Sequence, residues 1–203
     1  MKTLRLLTFL LFVVVFSQAS LGANNWPYFD WTGKHADVDD WNQYVFDGLD
    51  TFGGNLMSVT PKDISQFCPK YSNLNLKNKK YFWISLIAAM SRFESNFNPQ
   101  ASFREGFTDS RGKYVVSRGL LQLSYESARG YGCPISKSND LHIPKINLEC
   151  TIRILDRWIG RDSHISAKWS GSWKGGARYW SVLRKRSTLS SIKAKTSSLG
   201  VCN

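Results

Sequence analysis

Residues 91–100 read SRFESNFNPQ and close the most regularly patterned segment of the chain. Four residues recur along one side of this segment at spacings of four, three and four: Trp83, Ile87, Met90 and Glu94. This periodicity predicts a helix over residues 78–93, which the Asn98-Pro99 pair stops. A carboxylate therefore lies at the end of a stripe that is otherwise apolar and should face the core.

Burial disfavours a charged carboxylate and raises its pKa above the ordinary glutamate value, which is about 4.3. A carboxylic acid that is protonated near neutral pH can give its proton to the leaving oxygen in glycosidic cleavage. Position alone favours a simpler interpretation, in which Glu94 is solvated at a frayed helix end, because most glutamates lie at the surface. The motifs around Glu94 must decide between the two.

The rest of the chain reads as mainly helical with one short β excursion after Glu94. The sequence DSRG between apolar flanks predicts a small β-hairpin turn at residues 109–112. Helical spacing or a helix start recurs in five other places: residues 41–52, Thr60-Pro61, and residues 119–128, 144–159 and 177–183. Residues 169–176 are predicted to form a loop, and a basic, Ser-rich tail follows from Arg184. The fold class is mainly α (α+β).

Two stretches resemble the signatures of the soluble lytic transglycosylases and goose-type lysozymes, the SLT-domain family. They are the Glu94-Ser95 pair and SRGLLQLS at residues 117–124. The resemblance covers about residues 80–185 and implies a lysozyme-like fold with a small β-hairpin after the catalytic helix. It also implies that Glu94 is the catalytic acid and that Gln122 lines the sugar groove. We expect Ser117 and Gln122 to position the sugar.

The chain departs from the family pattern at a third signature, which normally supplies a tyrosine that bonds the catalytic glutamate. AKWSG at residues 167–171 stands in its place. Tyr179 is the candidate for this tyrosine and for a substrate-binding role, with core packing as the alternative. Arg118 also replaces a residue that is usually neutral, which places a fixed cation near the expected groove.

A second carboxylate would decide the type of reaction, because an inverting hydrolase needs a base to activate water. Glu105 and Asp109 lie on the predicted hairpin and could approach the groove, although capping of the turn is favoured for Asp109. Without such a base, the resemblance implies internal attack by the muramyl 6-hydroxyl. Glu94 would then act first as acid and afterwards as base, and the product would be an anhydro sugar.

The chain carries a formal charge of +12, from 27 Lys plus Arg against 15 Asp plus Glu. Such a charge favours a polyanionic partner: nucleic acid, an anionic membrane or a cell wall. The resemblance implies peptidoglycan, cut between N-acetylmuramic acid and N-acetylglucosamine. The sequence carries no nucleic-acid-binding module, serine-hydrolase elbow or phosphate-binding glycine loop.

We expect a monomer that needs no cofactor and no metal, since the three histidines lack ligand spacing. Two alternatives are open. One is a chitinase- or chitosanase-type glycosidase, and the other is a non-catalytic wall-binding protein on the same fold.

The first residues read as a signal peptide, predicted to span residues 1–22. Lys2 and Arg5 precede an apolar stretch of 11 residues at positions 6–16, which is too short to cross a membrane. Residues 23–203 are expected to form a single lysozyme-like domain, and no other segment is apolar for long enough to span a bilayer. The N-terminal extension of this domain is rich in aromatic residues, for which core packing is favoured over a sugar platform.

Because of the predicted signal peptide, the protein should be periplasmic or extracellular.

Four cysteines lie after the predicted signal peptide, and an even number in an exported chain suggests two disulfides. Three pairings are possible. Cys133 with Cys150 is favoured as a short local loop, which leaves Cys68 with Cys202. One or more free thiols are the alternative.

Overall fold

The computed structural model describes residues 25–203, so the predicted signal peptide lies outside the described residues. The helices are α1 (Val38–Phe52), α2 (Gly54–Ser58), α3 (Leu76–Ser95), α4 (Tyr125–Gly130), α5 (Pro144–Asp162) and α6 (Arg186–Ser197). The strands are β1 (Ser102–Thr108), β2 (Tyr114–Arg118), β3 (Leu123–Ser124), β4 (Ser166–Trp169) and β5 (Ser172–Gly175). The fold is mainly helical with a small β-sheet after α3, as predicted.

Helix α3 is the helix predicted from the apolar stripe. It begins after Asn75, whose side-chain oxygen accepts a hydrogen bond of 2.9 Å from the backbone N–H of Asn78 and so caps the helix. The three apolar residues of the stripe are completely buried: Trp83, Ile87 and Met90. The helix ends at Ser95, before the Asn98-Pro99 pair, because Asn96 adopts a left-handed conformation with φ 50°.

Helices α1 and α6 both pack on α3, and α1 also packs on α5. The repeat predicted for α1 is buried, with Trp41 and Val45 fully enclosed and Leu49 1 % exposed. The predicted repeat of α5 is also fully buried: Leu148, Ile152, Leu155 and Ile159.

Most of the large aromatic side chains near the N-terminus belong to the core, as favoured from the sequence. Phe29, Trp31 and Trp41 are at most 1 % exposed, and the indole N–H of Trp31 donates to the side chain of Asn42 at 2.8 Å. These enclosed rings have no free face for a sugar. Tyr28 is the exception, with 72 % of its surface exposed.

Three antiparallel strands form the sheet after α3, in the order β1-β2-β3. Phe103 on β1 faces Ser117 on β2, and Ser117 in turn faces Ser124 on β3. The register between β1 and β2 shifts after Arg104, and the turn at residues 109–112 closes the predicted hairpin. The third strand was not predicted.

The prediction of a helix over residues 119–128 is wrong in its first half. Residues 119–122 form a tight turn, β3 follows, and α4 begins only at Tyr125. Gly119 and Gln122 both have a left-handed backbone, with φ 76° and 47°. A Cβ atom at residue 119 would lie 2.1 Å from the carbonyl oxygen of Leu141, so only glycine fits there.

The C-terminal part also differs from the predictions. The expected loop at residues 169–176 belongs to a hairpin of β4 and β5, and the expected helix at residues 177–183 is two short 3₁₀ turns, Gly176–Arg178 and Ser181–Leu183. The basic tail folds as α6, a 12-residue helix that buries Ile192 and Thr196 against the body. The sequence did not predict this helix, because its many serines interrupt the apolar pattern and leave only two core-facing positions.

The helix start expected at Thr60-Pro61 is also wrong, because only a 3₁₀ turn, Ile64–Gln66, follows it. Asp63 is buried and accepts hydrogen bonds of 2.8 Å from the backbone N–H groups of Ile165 and Ser166. Its carboxylate therefore fixes the start of β4 instead of the first turn of a helix.

Both favoured disulfides are confirmed. Cys133 pairs with Cys150 of α5, and Cys68 pairs with Cys202, which joins the C-terminal end to the segment before α3. Among the helices of residues 25–203, none is both long and apolar enough to cross a membrane.

Candidate active site

A cleft of about 520 Å³ lies between the end of α3, the three-stranded sheet and the segment that follows β5. It brings together all four site residues predicted from the sequence: Glu94, Ser117, Gln122 and Tyr179. Further carboxylates, Glu105, Asp109 and Glu126, also line it, together with the guanidinium of Arg184. The cleft is therefore rich in acidic groups although the protein as a whole is basic.

Glu94 projects from the last turn of α3 into the wall of this cleft. Its side chain is half-buried, and its Oε1 atom is enclosed with no hydrogen-bond partner among residues 25–203. Burial, and secondarily the negative charge of Glu105, raises the pKa of Glu94 to about 7. This carboxyl is therefore partly protonated at neutral pH and able to donate a proton.

The end of α3 is held in place by a buried ion pair two residues before Glu94. The side chain of Asp30 is 3 % exposed and accepts hydrogen bonds from Arg92 at 2.5 and 2.7 Å, with Lys195 of α6 at 3.2 Å. Burial alone would raise the pKa of Asp30, but the hydrogen bonds from Arg92 and Lys195 outweigh it and lower the pKa. This network orients the helix that carries Glu94.

Glu105 is a second carboxylate that lines the cleft with Glu94. It lies on β1 in the stretch where the register shifts, and its Oε1 accepts a hydrogen bond of 2.5 Å from the hydroxyl of Ser117. Ser117 is only 6 % exposed, so its hydroxyl serves first to orient Glu105. The sequence placed both Glu105 and Asp109 near the groove and favoured turn capping for Asp109.

Asp109 has the structural role favoured for it. Its carboxylate accepts hydrogen bonds from the backbone N–H groups of Arg111 and Lys113 at 2.8 and 2.9 Å, and it pairs with the Arg111 guanidinium. These hydrogen bonds, that from Lys113 first, lower the pKa of Asp109. A carboxylate so well satisfied is a poor base.

Gln122 occupies the tight turn before β3. Its side-chain NH₂ group donates to the carbonyl oxygens of Gly119 at 2.8 Å and Ala101 at 3.2 Å, which ties the turn to the start of β1. Its side-chain oxygen accepts no hydrogen bond from the described residues, so this oxygen is the atom that Gln122 can offer to a ligand.

The buried Asn147 of α5 holds the same turn from behind. It donates to the carbonyl oxygens of Arg118 and Leu141 at 3.0 and 2.9 Å and accepts from the N–H of Leu121 at 3.0 Å. Sequence reasoning missed this residue, because an asparagine on a helix carries no local sign of a distant partner. Arg118 itself folds back onto the carbonyl of Val116 and does not line the cleft.

Tyr179 lies in the cleft wall, but it makes no hydrogen bond with Glu94. Its hydroxyl accepts a long hydrogen bond of 3.4 Å from the N–H of Ser124, and burial raises its pKa. The ring packs on Trp180 and Tyr131, with centroids 4.7 and 6.1 Å away. The hydrogen bond expected from Tyr179 to Glu94 is therefore not formed among the described residues.

Arg184 was read only as the start of a basic tail, yet it lines the cleft. Its guanidinium donates to the carbonyl oxygens of Ala177 and Arg178 at 2.6 and 2.7 Å and so fixes the segment that carries Tyr179. Within residues 25–203, no group of three or more His, Cys, Asp or Glu side chains is arranged to hold a metal ion.

Comparison with known families gives one match, which covers the site. The profile of the transglycosylase SLT domain matches residues 72–181, from the segment before α3 to the segment after β5. The chain belongs to the SLT family. This match agrees with the resemblance seen in the sequence, and it includes every residue assigned to the cleft except Arg184. A comparison with curated proteins gave no match.

Solved structures match this chain over most of its length. Bd0314 DslA in its wild-type form 2 is 47 % identical and superposes with a TM-score of 0.84, over 87 % of this SLT protein and 98 % of DslA. Two mutants of DslA match with TM-scores of 0.82 and 0.81 and identities of 47 % and 48 %, each over 85 % of this chain and 96 % of theirs. In each mutant one glutamate is replaced by glutamine, and the two positions are eleven residues apart.

Proposed function

We propose that this SLT protein cleaves the β-1,4 bond between N-acetylmuramic acid and N-acetylglucosamine in peptidoglycan, with Glu94 as the proton donor. The observation that carries the proposal is the enclosed carboxyl oxygen of Glu94, without a partner and with a pKa of about 7, in the wall of a long cleft. Such a group is suited to general acid catalysis at neutral pH.

In the first step, the Glu94 proton passes to the oxygen that bridges the two sugars, and the bond from that oxygen to the anomeric carbon breaks. The departing sugar leaves as an alcohol, and positive charge develops at the anomeric carbon and the ring oxygen. The Glu94 carboxylate then removes a proton from the attacking hydroxyl. In a lytic transglycosylase this is the 6-hydroxyl of the same muramyl sugar, which closes an anhydro ring.

Glu105 is the second carboxylate of this scheme. Glu94 and Glu105 are separated by eleven residues (105 − 94 = 11), the same spacing as the two glutamates replaced in the DslA mutants. A negative charge in the cleft stabilises the positive charge of the transition state. The presence of this second carboxylate also favours a second candidate reaction, hydrolysis, in which Glu105 helps to activate a water molecule.

The other predicted site residues receive roles that fit their contacts. Ser117 orients Glu105 and is a positioning residue, while the free side-chain oxygen of Gln122 is the proposed contact to a sugar hydroxyl or amide. Tyr179 forms part of the cleft wall, against which a sugar ring can pack.

The alternatives make different demands. A chitinase or chitosanase would cut a polymer without muramyl groups, and a wall-binding protein would not turn over at all. The fixed cation expected near the groove does not help to choose between them, since Arg118 is not among the residues that line the cleft. Two disulfides and a family that acts on cell walls fit an exported protein.

A substrate panel tests the proposal. Wild-type protein is incubated with purified sacculi, chitin oligomers and chitosan oligomers, and the soluble products are identified by mass spectrometry. We expect muropeptides from sacculi and little product from the other two polymers. Anhydro ends would identify transglycosylation, and reducing ends would identify hydrolysis. Cleavage of chitin alone, or binding to sacculi without any product, would contradict the proposal.

A further inference from the structure

Three arginines lie on successive turns of α5, away from the residues used above: Arg153, Arg157 and Arg161, hereafter the arginine stripe. A spacing of four residues places each about 6 Å further along the same side of the helix. Arg157 and Arg161 are exposed and Arg153 is half-buried. The stripe is therefore a row of positive charge at the surface.

None of these arginines forms an ion pair within residues 25–203. The carboxylates closest to the stripe in sequence each have another partner: Asn55 for Asp156, Arg178 for Asp162 and Lys145 for Glu149. The Nε atom of Arg153 is buried without a hydrogen-bond partner. The stripe thus has unused donors as well as unbalanced charge.

Aromatic rings hold the three guanidinium groups in place. Arg153 lies 3.8 Å from the ring centroid of Phe52, and Arg157 lies 5.5 Å from that of Tyr131 and 5.6 Å from that of Trp158. Arg161 approaches the same Trp158 ring at 5.4 Å. A guanidinium packed on a ring keeps the N–H donors at its edge free for a carboxylate or phosphate.

This arrangement is unfavourable for the isolated fold. Like charges four residues apart on a helix repel each other, and a buried N–H without a partner is destabilising. Asp156 lines the same pocket as Arg153 and Arg157 and offsets part of this charge, but no carboxylate of residues 25–203 forms an ion pair with the stripe. An external anion would relieve the repulsion and bind the exposed N–H donors of Arg157 and Arg161.

The stripe adjoins the cleft through one layer of aromatic rings. Trp158 donates from its indole N–H to the hydroxyl of Tyr131 at 2.7 Å, and Tyr131 packs on Tyr179 of the cleft wall. A separate pocket of about 340 Å³ opens beside Tyr131 and is lined by two cations, Arg153 and Arg157, and one carboxylate, Asp156. This pocket therefore lies next to the cleft wall, which Tyr131 contacts through Tyr179.

We propose that the arginine stripe binds the carboxylates of the peptide stems of peptidoglycan. The inference rests on the proposed function, because the stems branch from the muramyl sugars of the strand that would lie in the cleft. Each stem carries free carboxylates, which guanidinium groups bind through two parallel hydrogen bonds. The stripe then favours glycan that still carries its peptides.

The test measures binding, so that it does not depend on catalysis. A triple variant with Arg153→Gln, Arg157→Gln and Arg161→Gln is compared with a control that removes three exposed cations on other elements: Lys34→Gln, Lys77→Gln and Arg186→Gln. Both lose three charges. Sedimentation with intact sacculi and with sacculi stripped of peptides by an amidase gives the affinities at two salt concentrations.

We expect the triple variant to bind peptide-bearing sacculi about tenfold more weakly than the control, with no difference on peptide-free glycan. The double variant Arg157→Gln and Arg161→Gln, which changes exposed side chains only, should show part of the loss if the triple variant does not fold. Equal weakening of triple variant and control would overturn the proposal, as would an equal loss on both glycans. A loss that disappears after phosphate polymers are removed from the sacculi would assign the stripe to phosphate and not to stems. Failure of any of these arms leaves the Glu94 proposal untouched, because the substrate panel tests it separately.

Discussion

Replacing Glu94 with glutamine should make the protein more stable above neutral pH. One pKa unit corresponds to about 1.4 kcal/mol. A carboxyl whose pKa rises from 4.5 to about 7 in the fold therefore destabilises the folded state by about 3 kcal/mol once it is ionised. Water in the cleft screens part of this penalty, so the figure is an upper value.

The sign follows from the protons bound in each state. Between pH 4.5 and about 7 the folded protein retains a proton on Glu94 that the unfolded chain has released, so stability falls as the pH rises through this range. Glutamine has the shape of the neutral acid and does not ionise. The variant should match the wild type near pH 4 and exceed it above pH 7.

Thermal unfolding of both proteins across pH 4–8 measures the effect. A difference of 3 kcal/mol in a chain of this size corresponds to a rise in Tm of roughly 6–12 °C at pH 8. Glu126→Gln is the matched control, since Glu126 lies at the exposed rim of the same cleft and pairs with Arg111. If Glu94→Gln is no more stable than Glu126→Gln at pH 8, Glu94 is not desolvated and the reasoning fails.

Three further changes probe the parts around Glu94. Glu105→Gln removes the lesser cause of the raised pKa of Glu94, so the alkaline limb of the pH–activity profile should move part of the way to lower pH; an unchanged profile would show that the two carboxyls do not interact. Asp30→Asn leaves two cations without their buried partner and should cost about 2–3 kcal/mol in urea unfolding at pH 7. Because the pKa of Asp30 is lowered, that difference should be lost as the pH falls below about 4, and a constant difference would refute the ion pair as its cause. Gly119→Ala introduces a Cβ atom 2.3 Å from the side chain of Asn147 at a positive φ and should destabilise by more than 1 kcal/mol, whereas a neutral effect in the same assay would contradict the close packing of this turn.

The elements that could be predicted from the sequence are those whose signal is local. The apolar stripe of α3 and the apolar repeat of α5 predict two buried helices, and the DSRG turn predicts the hairpin. The short spacing of Cys133 and Cys150 led to both disulfides. Each of these features depends on periodicity or chain separation, which a single sequence contains.

The elements that were missed depend on partners distant in the chain. The turn at residues 119–122 exists because Gly119 fits beneath Leu141 and Asn147, and no local pattern reports that contact. Residues 177–183 are apolar enough for a helix, but Arg184 binds their carbonyl oxygens and holds them in 3₁₀ turns. Helix α6 was missed because its many serines leave too few apolar residues to show a helical period.

The site was predicted in part for the same reason. Glu94 could be found because it continues an apolar stripe and begins a family signature. Turn capping by Asp109 was favoured from the sequence, and its hydrogen bonds agree with it. Only the folded structure shows Glu105 oriented by Ser117 into the cleft.

The rate at which Glu94→Gln releases soluble muropeptides from purified sacculi tests the central claim most directly. Loss of a general acid should lower this rate by about 10²–10⁴-fold at pH 6. Binding to sacculi should persist, and the variant should remain folded. Release at the wild-type rate by a folded Glu94→Gln protein would contradict the assignment of Glu94 as the proton donor.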